Sequence, residues 1–414
     1  MPVWTSAQSA RDVGQNNDLT GNDEDRVHVY AGEFDGHSIP EGEDHTWSDP
    51  GVPLFLTRAR GGAFTVYGSL TLSGGLTLQM SQGQGVYVTG EMATDVNAGA
   101  LPEFSIDDPP EEFVTFEGEQ ATSGYWKGIA YDDTDSTNNS LAFSVVRHAG
   151  SGGAPAATEQ RDAAVQVLRG SRLDVRDALV EDTDGYGLFA QLDNELSPLR
   201  NTLFRNNEAP VYLYADSASL VRGSTSAENN GTNQVFLRSP IETITEDVVW
   251  RDPGVPYRIL PSQVDDSLSI GSDAVVRSGV EMRFEQDMVV LVTETGSLAT
   301  EGSGSEVTEP ATVLRGIEES PGYWQGVRFS QTTSEANVVS RTGIYHTGSA
   351  PHPNLVETEP KRAAVAATGA AEATVENCHI ADYEGAAFAA AFTSNDLRED
   401  SVNSTINTSG NVVE

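Results

Sequence analysis

Gly124-Tyr125-Trp126-Lys127-Gly128-Ile129 returns in the same chain as Gly322-Tyr323-Trp324-Gln325-Gly326-Val327, 198 positions on. Trp47-Ser48-Asp49-Pro50-Gly51-Val52-Pro53 returns as Trp250-Arg251-Asp252-Pro253-Gly254-Val255-Pro256 after 203 positions. His148-Ala149-Gly150 is matched by His346-Thr347-Gly348 at an offset of 198, and Ala163-Ala164-Val165 by Ala363-Ala364-Val365 at 200. An internal repeat of this kind fixes the architecture before any single residue is read. The offset drifts because turns absorb insertions while the apolar runs keep their length. A coil in which each rung touches only its neighbours behaves this way.

The apolar runs are short, for example 64–67, 76–80, 86–88, 113–116, 141–146, 164–168 and 211–214. They alternate in part with period two and end in Gly, Asn, Asp or Ser turns, which is strand behaviour. No capped helical period exceeds two turns. Segments 143–148, 175–182 and 201–207 each set alternating aliphatic residues before a polar turn, and are expected as successive rungs. The reading is an all-β chain with a flexible or capping tail over 1–21, one module over 22–230 and a second over 231–414. The second module ends about one coil short of the first, which leaves that end to a continuation of the chain or to a partner.

Several motifs carry a resemblance: the repeated Gly-Tyr-Trp, the downstream Val145-Val146-Arg147-His148-Ala149-Gly150, the Asp184-Gly185-Tyr186-Gly187 turn, and Asn201-x-x-Phe204-x-Asn206-Asn207. Over residues 22–414 the chain resembles the right-handed parallel β-helix superfamily, the pectin-lyase-like solenoids, and within it the secreted and cell-surface repeat proteins. The resemblance implies three short parallel sheets per coil around interior stacks of Val, Ile, Leu and Phe.

Acidic residues number 62 against 24 basic ones, a formal charge of −38, and Lys127 and Lys361 are the only lysines. Such a surface repels phosphate backbones and excludes nucleic acid as a partner. The acids are scattered through most loops, which reads as adaptation to high salt. A dedicated Ca²⁺ site would need carboxylates clustered at ligand spacing, so no cofactor is assigned and Ca²⁺ alone stays open. The single cysteine, Cys378, excludes an intramolecular disulfide and falls at a strand position that suits a small buried hydrophobe. No run approaches the ~20 apolar residues of a membrane-spanning helix. With the resemblance, this places the protein outside the cell or on its surface, the targeting segment lying outside the given sequence. The sequons at Asn138, Asn230, Asn403 and Asn407 are no more than chance supplies.

Stacking rungs by hydrophobic pattern puts His148, Asp182 and Asn206 in one outward column, with His346, Asp382 and roughly Thr408 in the second copy. A His–Asp pair can be an oriented base or a cation ligand, or a turn residue held by the next rung. A second column runs Arg147, Glu181, Arg205, an ion-pair ladder or a site unique to copy one, since copy two has Tyr345 and Ala381. Tyr125, Trp126, Tyr323 and Trp324 are either a glycan platform or corner packing. Enzymes of the superfamily, as the resemblance implies, need a free Arg or Lys base beside Ca²⁺-binding acids, or paired aspartates ~6.5–9.5 Å apart for inverting hydrolysis. The closest clusters, Asp132-Asp133-x-Asp135 and Glu181-Asp182-x-Asp184, carry neither signature. The leading expectation is therefore a non-catalytic structural, adhesive or glycan-binding protein whose partner is a polysaccharide, a cell-surface glycan or another protein. A polysaccharide lyase or glycoside hydrolase centred on His148, Glu181, Asp182 and Arg147 is the alternative, and a viral or phage tail fibre the next.

Overall fold

The structure is a computed structural model that describes residues 3–14, 17–30, 39–57, 63–101, 104–152, 161–192, 194–302, 310–350, 362–390, 405–409 and 411–413. The chain forms two compact units: Met1–Tyr212 with Ser224–Asn233, and Leu213–Gly223 with Gln234–Glu414.

Unit 2 shows the coil most simply. Each turn carries three strands, as in Tyr257–Leu260, Ser267–Ile270 and Asp273–Val276. Each of the three pairs in parallel with its counterpart one turn later, at Glu281–Phe284, Val289–Val292 and Ser297–Glu301. Three parallel sheets result, and the chain is a parallel β-helix. Alternation makes the coil: Ser267–Ile270 and Glu281–Phe284 both read intermediate, buried, intermediate, buried, so every second side chain enters the interior.

Unit 1 repeats the plan with the corner compressed. Ser140–Arg147 is one strand whose first part pairs with Glu91–Asp95 and whose second pairs with Val114–Gly118. Phe143 turns the corner at φ 52°, and Asp177 and Asn201 do the same on the next two rungs at 49° and 45°. Arg341 and Asn377 occupy this corner in unit 2, at 50° and 52°. One left-handed residue turns the chain there, a conformation that, glycine aside, Asn and Asp accept more readily than Phe143 or Arg341. In the region expected as a tail or cap, Val3–Ser6 is a strand paired with Val27–Tyr30, and Ala7 and Ala10 are buried.

The interior holds stacked aliphatic and aromatic side chains, with Trp47, Trp126, Trp250 and Trp324 among the largest buried. Buried amides tie rung to rung. Asn207 accepts from Thr183 N at 3.1 Å and donates to Val180 O at 3.1 Å, and Asn230 accepts from Asn207 N at 2.9 Å and donates to Phe204 O at 3.1 Å. Cys378 is fully buried and burial pushes its thiol up to about 11, so it packs as the expected small hydrophobe.

Candidate functional site

Register sets Arg147 beside Glu181 and Glu181 beside Arg205 on consecutive rungs of unit 1. Rungs lie ~4.8 Å apart, so the column alternates in sign at contact distance. Arg147 donates Nε and Nη2 to Glu117 Oε2 at 3.0 and 2.7 Å and approaches Glu181 Oε1 at 3.8 Å. Arg205 donates Nε to Glu181 Oε2 at 2.8 Å, and the Glu181 side chain is only 9% exposed. A nearly buried carboxylate thus lies between two guanidinium groups, and these charge-assisted contacts offset part of its desolvation cost.

Beside this ladder lies a groove of about 510 Å³. Thr77, Thr115, Val145 and Leu179 form its floor, and Asp49, Pro53 and the segment 107–111 line it as well. The segment 107–111 forms a wall of the groove, held in place by an apolar patch on the outer face of the sheet. Phe113, Phe143, Val145, Leu179 and Leu203 form a cluster, and Val96, Leu101, Phe104 and Ile106 pack against it. Phe104 meets Phe113 edge-on at 5.2 Å, and Phe113 meets Phe143 at 5.6 Å. Arg205 Nη1 then donates to Asp107 O at 3.2 Å, joining the wall to the ladder.

The other candidates fall elsewhere. His148, Asp182 and Asn206 do share a column, one residue past the ladder, all left-handed at φ 63°, 53° and 54°. Asn206 Nδ2 donates to Asp182 Oδ1 at 3.1 Å. The His148 ring is buried, its Nδ1 has no hydrogen-bond partner among the described residues, and burial lowers its pKa below the ordinary histidine value. His346 is buried with its pKa lowered in the same way, and its Nε2 stands 3.9 Å from Asp382 Oδ2, beyond hydrogen-bond range. These are corner residues, not oriented base pairs. The expected third member in copy two is corrected outright: Thr408 pairs with Val375 in another sheet.

The glycan-platform reading of the Gly-Tyr-Trp motifs is corrected for both tryptophans. Trp126 and Trp324 are 0% exposed, so neither ring presents a face to a sugar. Their Nε1 groups donate to Arg147 O at 2.8 Å and Tyr345 O at 2.7 Å, and the backbone of Tyr125 and Tyr323 donates to His148 O and His346 O at 2.9 and 2.8 Å. The two repeated motifs are therefore one corner: Gly-Tyr-Trp clamps the His-x-Gly of the rung above. Tyr125 and Tyr323 are half-buried, each ring lying over a glycine, Gly118 and Gly316. Through Trp126 the clamp also holds the backbone of Arg147 at the groove.

The acid clusters do not assemble. Asp132 is fully buried and bonded to Arg169, Nη2 to Oδ2 at 2.7 Å, and to the Tyr87 hydroxyl, while Asp133 and Asp135 are exposed. Among the described residues no three His, Cys, Asp or Glu side chains converge as metal ligands, and no helix is long and apolar enough to cross a membrane. The sequence reading missed the wall and the role of Glu117. The signal was present in copy one alone, as the apolar residues of the 96–113 insertion.

No protein-family model matches the chain, and no curated protein does. A solved structure, the catalytic unit of a thermostable GH87 alpha-1,3-glucanase from Streptomyces thermodiastaticus strain HF3-3, is similar at 11% identity over 99% of this chain and 68% of that one, with a TM-score of 0.26. A likeness that slight carries nothing about activity.

Proposed function

We propose that this is a non-catalytic, extracellular or cell-surface β-helix of the pectin-lyase-like type, which binds a glycan in the groove of unit 1. The observation that carries the reading is the state of the charged groups beside the groove. Both arginines are held by carboxylates through Nε, and Glu181 is enclosed between them. A lyase needs a basic group free to take a proton, and an inverting hydrolase needs two acids facing each other across the scissile bond. Arg147 and Arg205 are not free in this way and Glu181 is taken up by both, while Asp49, Asp107, Asp108 and Glu111 also line the groove. What the groove offers instead is hydroxyls, Thr77 and Thr115, and fixed charges above a floor whose Val145 and Leu179 are almost wholly covered, which suits the hydroxyl edge of a sugar.

A glycan array together with reducing-end and unsaturated-uronate assays tests this, using wild type and Thr115→Trp, which fills the groove from its half-exposed floor. Binding without cleavage, lost in Thr115→Trp, is the expected result. Cleavage of any polymer, abolished by Glu181→Gln, would replace this reading with the enzymatic one.

A further inference from the structure

The two copies use one structural column for opposite chemistries. In unit 1 it reads Phe55, Gln79, Glu117 on successive rungs and then alternates in sign through Arg147 and Glu181. In unit 2 the equivalent column reads Phe236, Arg258, Arg283, Arg315, Tyr345, each paired with the next. Three of the 24 cations in a chain of charge −38 are stacked directly on one another. Like charges opposite each other on neighbouring strands repel, and the alternation in unit 1 avoids this.

The resident acids balance the arginines without using up their donors. Arg258 gives Nε and Nη2 to one oxygen of Glu285, at 2.9 and 2.6 Å. Arg283 gives Nε to Glu281 at 2.7 Å, and Arg315 pairs with Glu319. Among the described residues the terminal nitrogens of Arg283 make no hydrogen bond; Arg315 Nη1 stands 3.9 Å from Glu281 Oε1, and its Nε is buried beyond a ligand's reach. The three side chains remain 32%, 32% and 24% exposed. A guanidinium carries five donors in a planar fork that fits an oxyanion.

We infer that Arg258, Arg283 and Arg315 form a strip for a linear anionic glycan, its acid groups lying along the column at about one-rung spacing. Phe236, under the Arg258 guanidinium at 5.3 Å, and Tyr345 close the strip with half-exposed aromatic rings. Arg258 already covers one face of Phe236, and the exposed part of the Tyr345 ring favours a sugar polymer over an acidic peptide, because the C–H face of a sugar packs on aromatic surface. The inference is independent of the groove in unit 1. Long-range repulsion from the acidic surface opposes approach at low salt, whereas hydrogen bonds at contact are screened less.

The test is dextran sulfate binding to the full chain by calorimetry, from about 0.15 M to about 1 M KCl, over which the screening length falls from ~8 to ~3 Å. Neutral dextran and poly-L-glutamate are the comparisons. The expected result is binding that strengthens as KCl is first raised and weakens about tenfold or more in Arg283→Gln, the scale of one lost charge-assisted contact. Arg200→Gln, the same charge change on an exposed arginine of unit 1, stays within about twofold of wild type. If Arg283→Gln lacks the wild-type circular dichroism spectrum, Arg283→Lys, which keeps the charge and loses the fork, must show the loss. Absence of dextran sulfate binding at every salt, or equal losses in Arg283→Gln and Arg200→Gln, would overturn the strip. Tighter binding of poly-L-glutamate would overturn its assignment to a glycan.

Discussion

Replacing Trp126 separates packing from recognition. Its ring is fully buried and its Nε1 donates to Arg147 O at 2.8 Å. Truncation to alanine empties the largest side chain from a closed corner, about 3–5 kcal/mol. It also removes a hydrogen bond worth about 1 kcal/mol, so Trp126→Ala should lose about 4–6 kcal/mol. Trp126→Phe keeps most of the ring and loses mainly the N–H, and should cost about 1–2 kcal/mol. Urea unfolding followed by circular dichroism reads both, through the midpoint at constant slope. Because Arg147 hangs from the carbonyl that Trp126 holds, Trp126→Phe should also weaken glycan binding at the groove modestly, in step with stability. A Trp126→Ala protein with the wild-type urea midpoint and no glycan binding would refute the argument and restore the exposed-platform reading.

Gly150→Ala should yield no folded protein, because φ there is 98° and a Cβ would lie 1.8 Å from Asp184 O, whereas Gly152→Ala meets nothing within 4 Å and should express normally. Stability should fall with acidification from about pH 6.5: burial lowers the folded pKa of His148 and His346, so the unfolded chain takes up protons first. The loss is complete once pH drops below the folded values, and urea midpoints of His148→Gln/His346→Gln should be flatter across that window. With a net charge of −38, self-repulsion should make the melting temperature climb as KCl is raised toward ~1 M and then level off, as the screening length shrinks to ~3 Å. A saturating rise at millimolar Ca²⁺ and low KCl would point instead to a specific cation site.

The repeat, the alternating runs and the turn residues carried the architecture openly. Each rung of a coil contacts only the next, so period-two patterning and a fixed offset between copies are enough to define strands, register and the Arg147–Glu181–Arg205 column. Local pattern could not say which outward residues are covered. Trp126 and Tyr125 are adjacent in sequence, yet the first is buried and the second half-exposed, because the buried ring closes a corner against a rung 21 residues on. Nor does any period mark the 96–113 insertion as a wall. Its apolar residues answer to Phe143, Leu179 and Leu203 on later rungs, a contact made only once the coil has closed. Repeat, pattern and composition define a duplicated, acidic parallel coil. Tertiary structure alone decided where a groove opens and which charges are already paired. Burial and ion pairing depend on residues far apart in the chain, and no local spacing records them.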